Sequence, residues 1–152
     1  MNRLSLIFIV VVSLLGVSCD KSGDKPVEPT PDGAYYQSIG SDEELFIFGD
    51  RQLLSMSYYG GEYTGFTSKY SIKDNFLTLT ELQNFDSSCE DTERRSRGRL
   101  AYQFYYGRLM MTFGHEGDYG AFNKASEEQV QSFVSSFNCD IVTQFMSTLP
   151  DL

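Results

Sequence analysis

Between Gly33 and Lys124 the chain alternates short apolar runs with clusters of turn-forming residues, and this rhythm most narrows the possible folds. The runs predict strands at Ala34–Ser38, Leu45–Phe48, Leu53–Tyr59, Tyr63–Ile72, Phe76–Leu82, Leu100–Tyr106, Leu109–Phe113 and Tyr119–Asn123. Gly49-Asp50, Gly60-Gly61, Lys73-Asp74-Asn75, Gly107 and Gly114-His115-Glu116-Gly117 separate them, all residues that accept positive φ or bond their own backbone. Alternation with period two is clearest late in the chain. Leu100, Tyr102, Phe104 and Tyr106 share one face, and Leu109, Met111 and Phe113 share the face of the next strand. Twelve Phe and ten Tyr, with no Trp, suit a sheet better than a helical bundle. About eight antiparallel strands in sequence predict a mainly β fold, an up-and-down barrel, because closure alone removes both edges.

Ser126 opens a different pattern. Ser126-Glu127-Glu128-Gln129 fits a capping box, with two acids in the first turn to suit the helix dipole. Val130, Phe133, Val134, Phe137, Ile141 and Phe145 then recur on one helical stripe. A C-terminal helix over 126–149 is expected, with Asn138-Cys139-Asp140 as a break and Pro150 as the stop. Its apolar stripe needs a partner, and the outside of the barrel is the expected place. There Cys139 reaches the loop that carries Cys89.

The N-terminus follows other rules. Arg3 precedes the apolar run Leu4 to Leu15, which is too short to span a bilayer comfortably, and Gly16-Val17-Ser18 leads into Cys19. This arrangement resembles the signal peptide and lipobox of bacterial lipoproteins. The resemblance implies cleavage after residue 18 and acylation of Cys19, with anchoring to the inner or outer membrane of the cell envelope. Residues 19–32, with Pro26, Pro29 and Pro31 and one apolar side chain, read as the lipidated cysteine and a tether, leaving 33–152 as the domain. Loss of Arg3 makes the mature chain one step more negative than the full chain's −9. Such acidity disfavours nucleic acid as a partner.

Three cysteines are present. With Cys19 acylated, Cys89 and Cys139 remain, an even number in an oxidising compartment. A disulfide between them is the simplest reading; two buried thiols are the alternative. Neither has a close Cys or His companion, so no metal and no cofactor is implied.

Eight short strands and a C-terminal helix, behind a lipobox and a proline tether, resemble the lipocalin-like small lipoproteins of Gram-negative bacteria. Gly33-Ala34-Tyr35 stands where lipocalins open their first strand with Gly-x-Trp, and the phrases Tyr70 to Leu79 and Phe104 to Phe113 look like that group's paired hairpins. The stretch after Cys89 is also similar to the META domain, another all-β lipoprotein type. The first resemblance implies a binding module for a small apolar ligand, inside the barrel or at its mouth.

Tyr102, Phe104, Tyr106, Leu109, Met111 and Phe113 are the expected lining of such a cavity, or else the filling of a solid core. Arg94, Arg95, Arg97 and Arg99 form a cluster in the longest expected loop, about 84–98. It reads as a carboxylate or phosphate clamp, or as a solvated loop neutralised by Glu90, Asp91 and Glu93. His115, the only histidine, stands beside Glu116 and Asp118, but a metal site needs a further ligand from elsewhere and no flanking motif offers an activated nucleophile, so no enzyme is expected. A protein-interaction lipoprotein of the envelope, solid-cored and without ligand, is the alternative function. Cys19→Ala should move the protein from the membrane fraction to the soluble fraction; retention in membranes would contradict acylation at this residue.

Overall fold

Alternation decides what each strand buries, and in the computed structural model it resolves into two separate cores. Residues 28–112 and 119–149 are described, without the side chains of 91–97 and 119. Strands β1 (Gly33–Ile39), β2 (Asp42–Phe48), β3 (Gln52–Tyr59), β4 (Glu62–Lys73), β5 (Phe76–Asp86), β6 (Asp91–Tyr105), β7 (Arg108–Thr112) and β8 (Tyr119–Lys124) follow one another in space as in sequence. Every neighbouring pair is antiparallel, and β8 returns to β1 through Tyr35 opposite Lys124 and Tyr36 opposite Asn123. The barrel is closed.

All eight strands contribute to the interior core. Tyr35, Phe46, Phe48, Leu53, Tyr70, Leu77, Leu79, Leu82, Leu100, Tyr102, Leu109, Met111 and Phe122 are buried together there. Phe46 meets Phe122 edge-on, with ring centroids 4.9 Å apart. The second core lies on the outer wall of β1, β2 and β3, where Ala34, Leu45, Ile47, Leu54 and Met56 receive Val130, Phe133, Phe137, Val142 and Phe145. Those five belong to the C-terminal segment, which forms α1 (Glu127–Ser136), the linker carrying Phe137, and α2 (Asp140–Ser147). The expected capping box is present. Ser126 Oγ accepts from the Gln129 N–H at 3.2 Å, and Gln129 Oε1 accepts from the Ser126 N–H at 2.8 Å. The break falls at Asn138-Cys139 as the sequence predicts, and Cys139 is bonded to Cys89 with Cα atoms 5.5 Å apart.

Consecutive turns of a meander alternate between its ends. The β1–β2, β3–β4 and β5–β6 turns mark the upper end, where Cys89 and Cys139 meet. The β2–β3, β4–β5 and β6–β7 turns, the start of β1 and the finish of β8 mark the lower end. Helix α1 climbs from lower to upper end and α2 descends, so Leu149 comes back to rest near Gly49.

The expected loop over 84–98 is instead a hairpin. β5 continues to Asp86 and β6 begins at Asp91. Asp86 organises the turn: its Oδ1 accepts from Ser88 N–H (2.8 Å) and Glu90 N–H (3.2 Å), and its carbonyl from Cys89 N–H (3.0 Å). Glu81, at φ +56°, is the extra residue of a β-bulge between Thr67 and Lys69 on the partner strand, where Lys69 also pairs with it at 2.8 Å. The bulge shifts the phase of β5. Leu77 and Leu79 face in, Leu82 still faces in, and Phe85 faces out onto Phe137, with centroids 5.6 Å apart. Gly65 leaves the space for it, since a Cβ there would stand 2.7 Å from the Phe85 ring.

Tyr106 does not share the face of Tyr102. With Gly107 it forms the β6–β7 turn at positive φ (+49° and +77°), which ends the alternation at Phe104. Glu28–Asp32, expected to be part of a tether, folds against the lower mouth. The Glu28 N–H donates to Asn75 Oδ1 (3.0 Å), its carboxylate accepts from the Phe104 N–H (3.2 Å), and Asp32 bonds Lys124 Nζ (3.2 Å).

The cross-link joins residues 50 apart, a closure worth roughly 4 kcal/mol in chain entropy. Cys89→Ser should lower the unfolding free energy from urea titration by about that amount and so lower the midpoint, abolish the mobility difference between reduced and oxidised protein, and leave the circular dichroism of a barrel. An unchanged midpoint would contradict the assignment.

Candidate binding groove

Tyr102, Leu109 and Met111 are at most 2 % exposed and sit in the interior core, with Phe104 packed against its edge. They are filled in by Tyr35, Phe46, Phe48 and Phe122, so the described positions expected to line a cavity form packed core. Tyr106, 89 % exposed, stands at the hairpin tip. Phe113 and Cys19 lie outside the described residues, as does His115. Tyr102 carries one irregularity. Its hydroxyl is buried without a hydrogen-bond partner among the described residues, and burial, then the nearby Glu28 carboxylate, push its pKa up.

Open space lies at the lower end instead. A groove of about 1450 Å³ runs between the barrel rim and the helix pair. Its apolar surface comes from Ala34, Phe48, Tyr70, Ile72, Val130, Met146 and Leu149, and its polar rim from Asp32, Asp50, Arg51, Lys124 and Gln131. Small-molecule sites usually measure roughly 300–1,000 Å³, so this one has room for an elongated guest. The strap Thr30-Pro31-Asp32 forms part of its wall. Tyr70 closes the floor, its hydroxyl donating to the Gly49 carbonyl at 3.1 Å. Lys124 Nζ lies 4.4 Å from the centroid of the Tyr35 ring. Burial lowers its pKa, but Tyr35 and Asp32 outweigh that and hold it above the usual value.

The arginine cluster lies along β6, not in a loop. Arg94 stands opposite Gln83, Arg95 opposite Leu82, Arg97 opposite Thr80 and Arg99 opposite Thr78. The Arg99 guanidinium stacks on Phe76, 3.8 Å from the ring centroid. The side chains of the other three lie outside the described residues, so a joint anion clamp has no described geometry. Among the described residues, no group of three or more His, Cys, Asp or Glu is arranged to hold a metal ion.

Sequence reasoning missed two features. One is the groove itself, whose wall comes from five separate chain segments with no local signature. The other is Glu44, which looks like part of an acidic turn but shares the parity of Phe46 and Phe48, the interior face. Gln37 Nε2 donates to Glu44 Oε2 at 3.0 Å. Burial pushes the Glu44 pKa up to about 7, with the Gln37 bond pulling the other way.

No protein family, curated protein or solved structure matches this chain.

Glu44 gives the fold a pH dependence. Its native pKa lies above its unfolded value, so its contribution to stability is full below about pH 4.5 and is lost as pH rises through about 7. The loss is at most about 3 kcal/mol. Thermal unfolding should show a lower Tm at pH 8 than at pH 5.5, and Glu44→Gln should flatten the difference; an equal pH slope in the variant would assign the effect elsewhere.

Proposed function

We propose that this protein is a lipid-anchored, lipocalin-like lipoprotein of the bacterial cell envelope. It serves as a non-enzymatic binding module for a small apolar ligand, held in the groove at the lower mouth and not in the barrel interior. The signal-like leader and Cys19 support the anchor. The groove supports the binding role, because an apolar surface stays open to solvent there beside a polar rim. Its mixture of an apolar floor with Arg51 and Lys124 at the edge fits a guest with an apolar body and a polar end.

A second reading has its own observation. The interior is filled, and Ile39 (68 % exposed) and Tyr59 (72 %) project from upper-end turns. These support an interaction lipoprotein whose turns meet another envelope protein.

Gln131 is exposed and lies on the groove wall, so Gln131→Trp adds bulk there without disturbing either core. Binding of a fluorescent fatty-acid analogue should weaken about tenfold in this variant, which corresponds to about 1.4 kcal/mol. Tyr59→Ser should leave the binding unchanged. Loss of binding in Tyr59→Ser with no effect at position 131 would overturn the groove reading.

A further inference from the structure

The lower end of the barrel is also where the chain leaves toward its anchor. Glu28 is held by Asn75 of the β4–β5 turn and by the backbone of Phe104, and the next residues after Phe104 are Tyr105 and Tyr106. Tyr105 ends β6 and Tyr106 opens the β6–β7 turn, so the two stand at the hairpin tip. They are 59 % and 89 % exposed, with ring centroids 4.4 Å apart. We infer that this hairpin tip is a membrane foot: with Cys19 acylated, the tether holds the lower end of the barrel against the lipid headgroups and Tyr105 and Tyr106 seat in the interface. The inference rests on the anchor in the proposed function.

Three observations converge on it. The first is reach. Eight residues separate Cys19 from the docked Glu28, and a fully extended chain of that length spans about 30 Å at most. The tether therefore confines the tip region near the bilayer surface. The second is side-chain chemistry. Tyrosine pairs an apolar ring with a polar tip, the combination enriched at membrane–water interfaces. The third is charge. The lower turns pair acids with bases, as in Asp50-Arg51 and Lys73-Asp74, and exposed Arg108 adds a cation directly beside the tyrosines. At the upper end Asp42, Glu43, Glu62, Asp86, Glu90, Asp91 and Glu93 stand in or beside the turns and outnumber the nearest bases, Arg94 and Arg95. An anionic surface repels that end more than the lower one, where Glu28, Asp32, Asp50 and Asp74 stand among Arg51, Lys73, Arg108 and Lys124. Tyr59 and Ile39 lie at the acidic end, away from the tether, and so serve as the contrast. The orientation also turns the groove toward the lipid.

The chain has no Trp, so a single introduced indole reports its own position. Full-length Tyr106→Trp and Tyr59→Trp proteins, purified from membranes, are reconstituted in phosphatidylethanolamine–phosphatidylglycerol vesicles, with and without acyl-chain-brominated lipid. The indole at position 106 should shift to the blue on reconstitution and lose about half its emission or more to bromine, while that at position 59 stays at its aqueous wavelength and unquenched. Equal quenching at both positions, or none at position 106, in protein that floats with the vesicles and carries acyl chains by intact mass, overturns the foot alone. Protein that carries no acyl chains and does not float overturns the anchor, and the foot with it.

Discussion

Strand β2 is buried on both faces, and the rest of the molecule is arranged around that constraint. Leu45, Phe46, Ile47 and Phe48 are all at most 3 % exposed. Phe46 and Phe48 complete the barrel interior, while Leu45 and Ile47 form the floor on which the helices lie. A barrel strand ordinarily shows one face to water. Here the outer face needs a cover, and the C-terminal segment supplies it with a stripe of Val and Phe side chains. Burying each such side chain contributes on the order of 1.5–3 kcal/mol before the entropy of ordering it. The Cys89–Cys139 bond fixes the upper corner of that cover.

The position of the cover produces the groove. With the helix pair fixed at the upper end by the disulfide, its lower ends approach the barrel rim near Gly49, where Leu149 comes close. They leave an apolar trough between rim and helices, open at the end where the strap Glu28–Asp32 crosses the mouth. The interior is closed off by its own aromatic rings. An open groove beside a filled barrel thus follows from how the outer wall is roofed, and the strap, the tyrosine tip and the groove all gather at one end.

Much of this was legible in the residues. The eight strands, the turns at Gly60-Gly61 and Asp74-Asn75, the Ser126–Gln129 cap, the break before Asp140 and the disulfide follow from local rules of period, turn chemistry and pairing. The Asn84 to Gly98 stretch did not read as strand for two physical reasons. Its charged side chains carry little strand preference, and bulges at Glu81 and between Asp91 and Arg94 break the period that marks a strand. Tyr106 fitted an alternation that the positive φ of its turn interrupts. The groove, the strap and the interior place of Glu44 depend on which segments meet after closure, and no local pattern encodes that.

Methionine methyl groups divide the molecule conveniently. Met111 lies in the interior, Met56 beneath the helices, and Met146 at the groove. The most direct test is to titrate a medium-chain fatty alcohol into protein labelled with ¹³C at its methionine methyls and follow the resonances by NMR. The Met146 signal should move in a saturable way while Met111 and Met56 hold still. A saturable shift at Met111 with none at Met146 would put the guest inside the barrel and contradict the account.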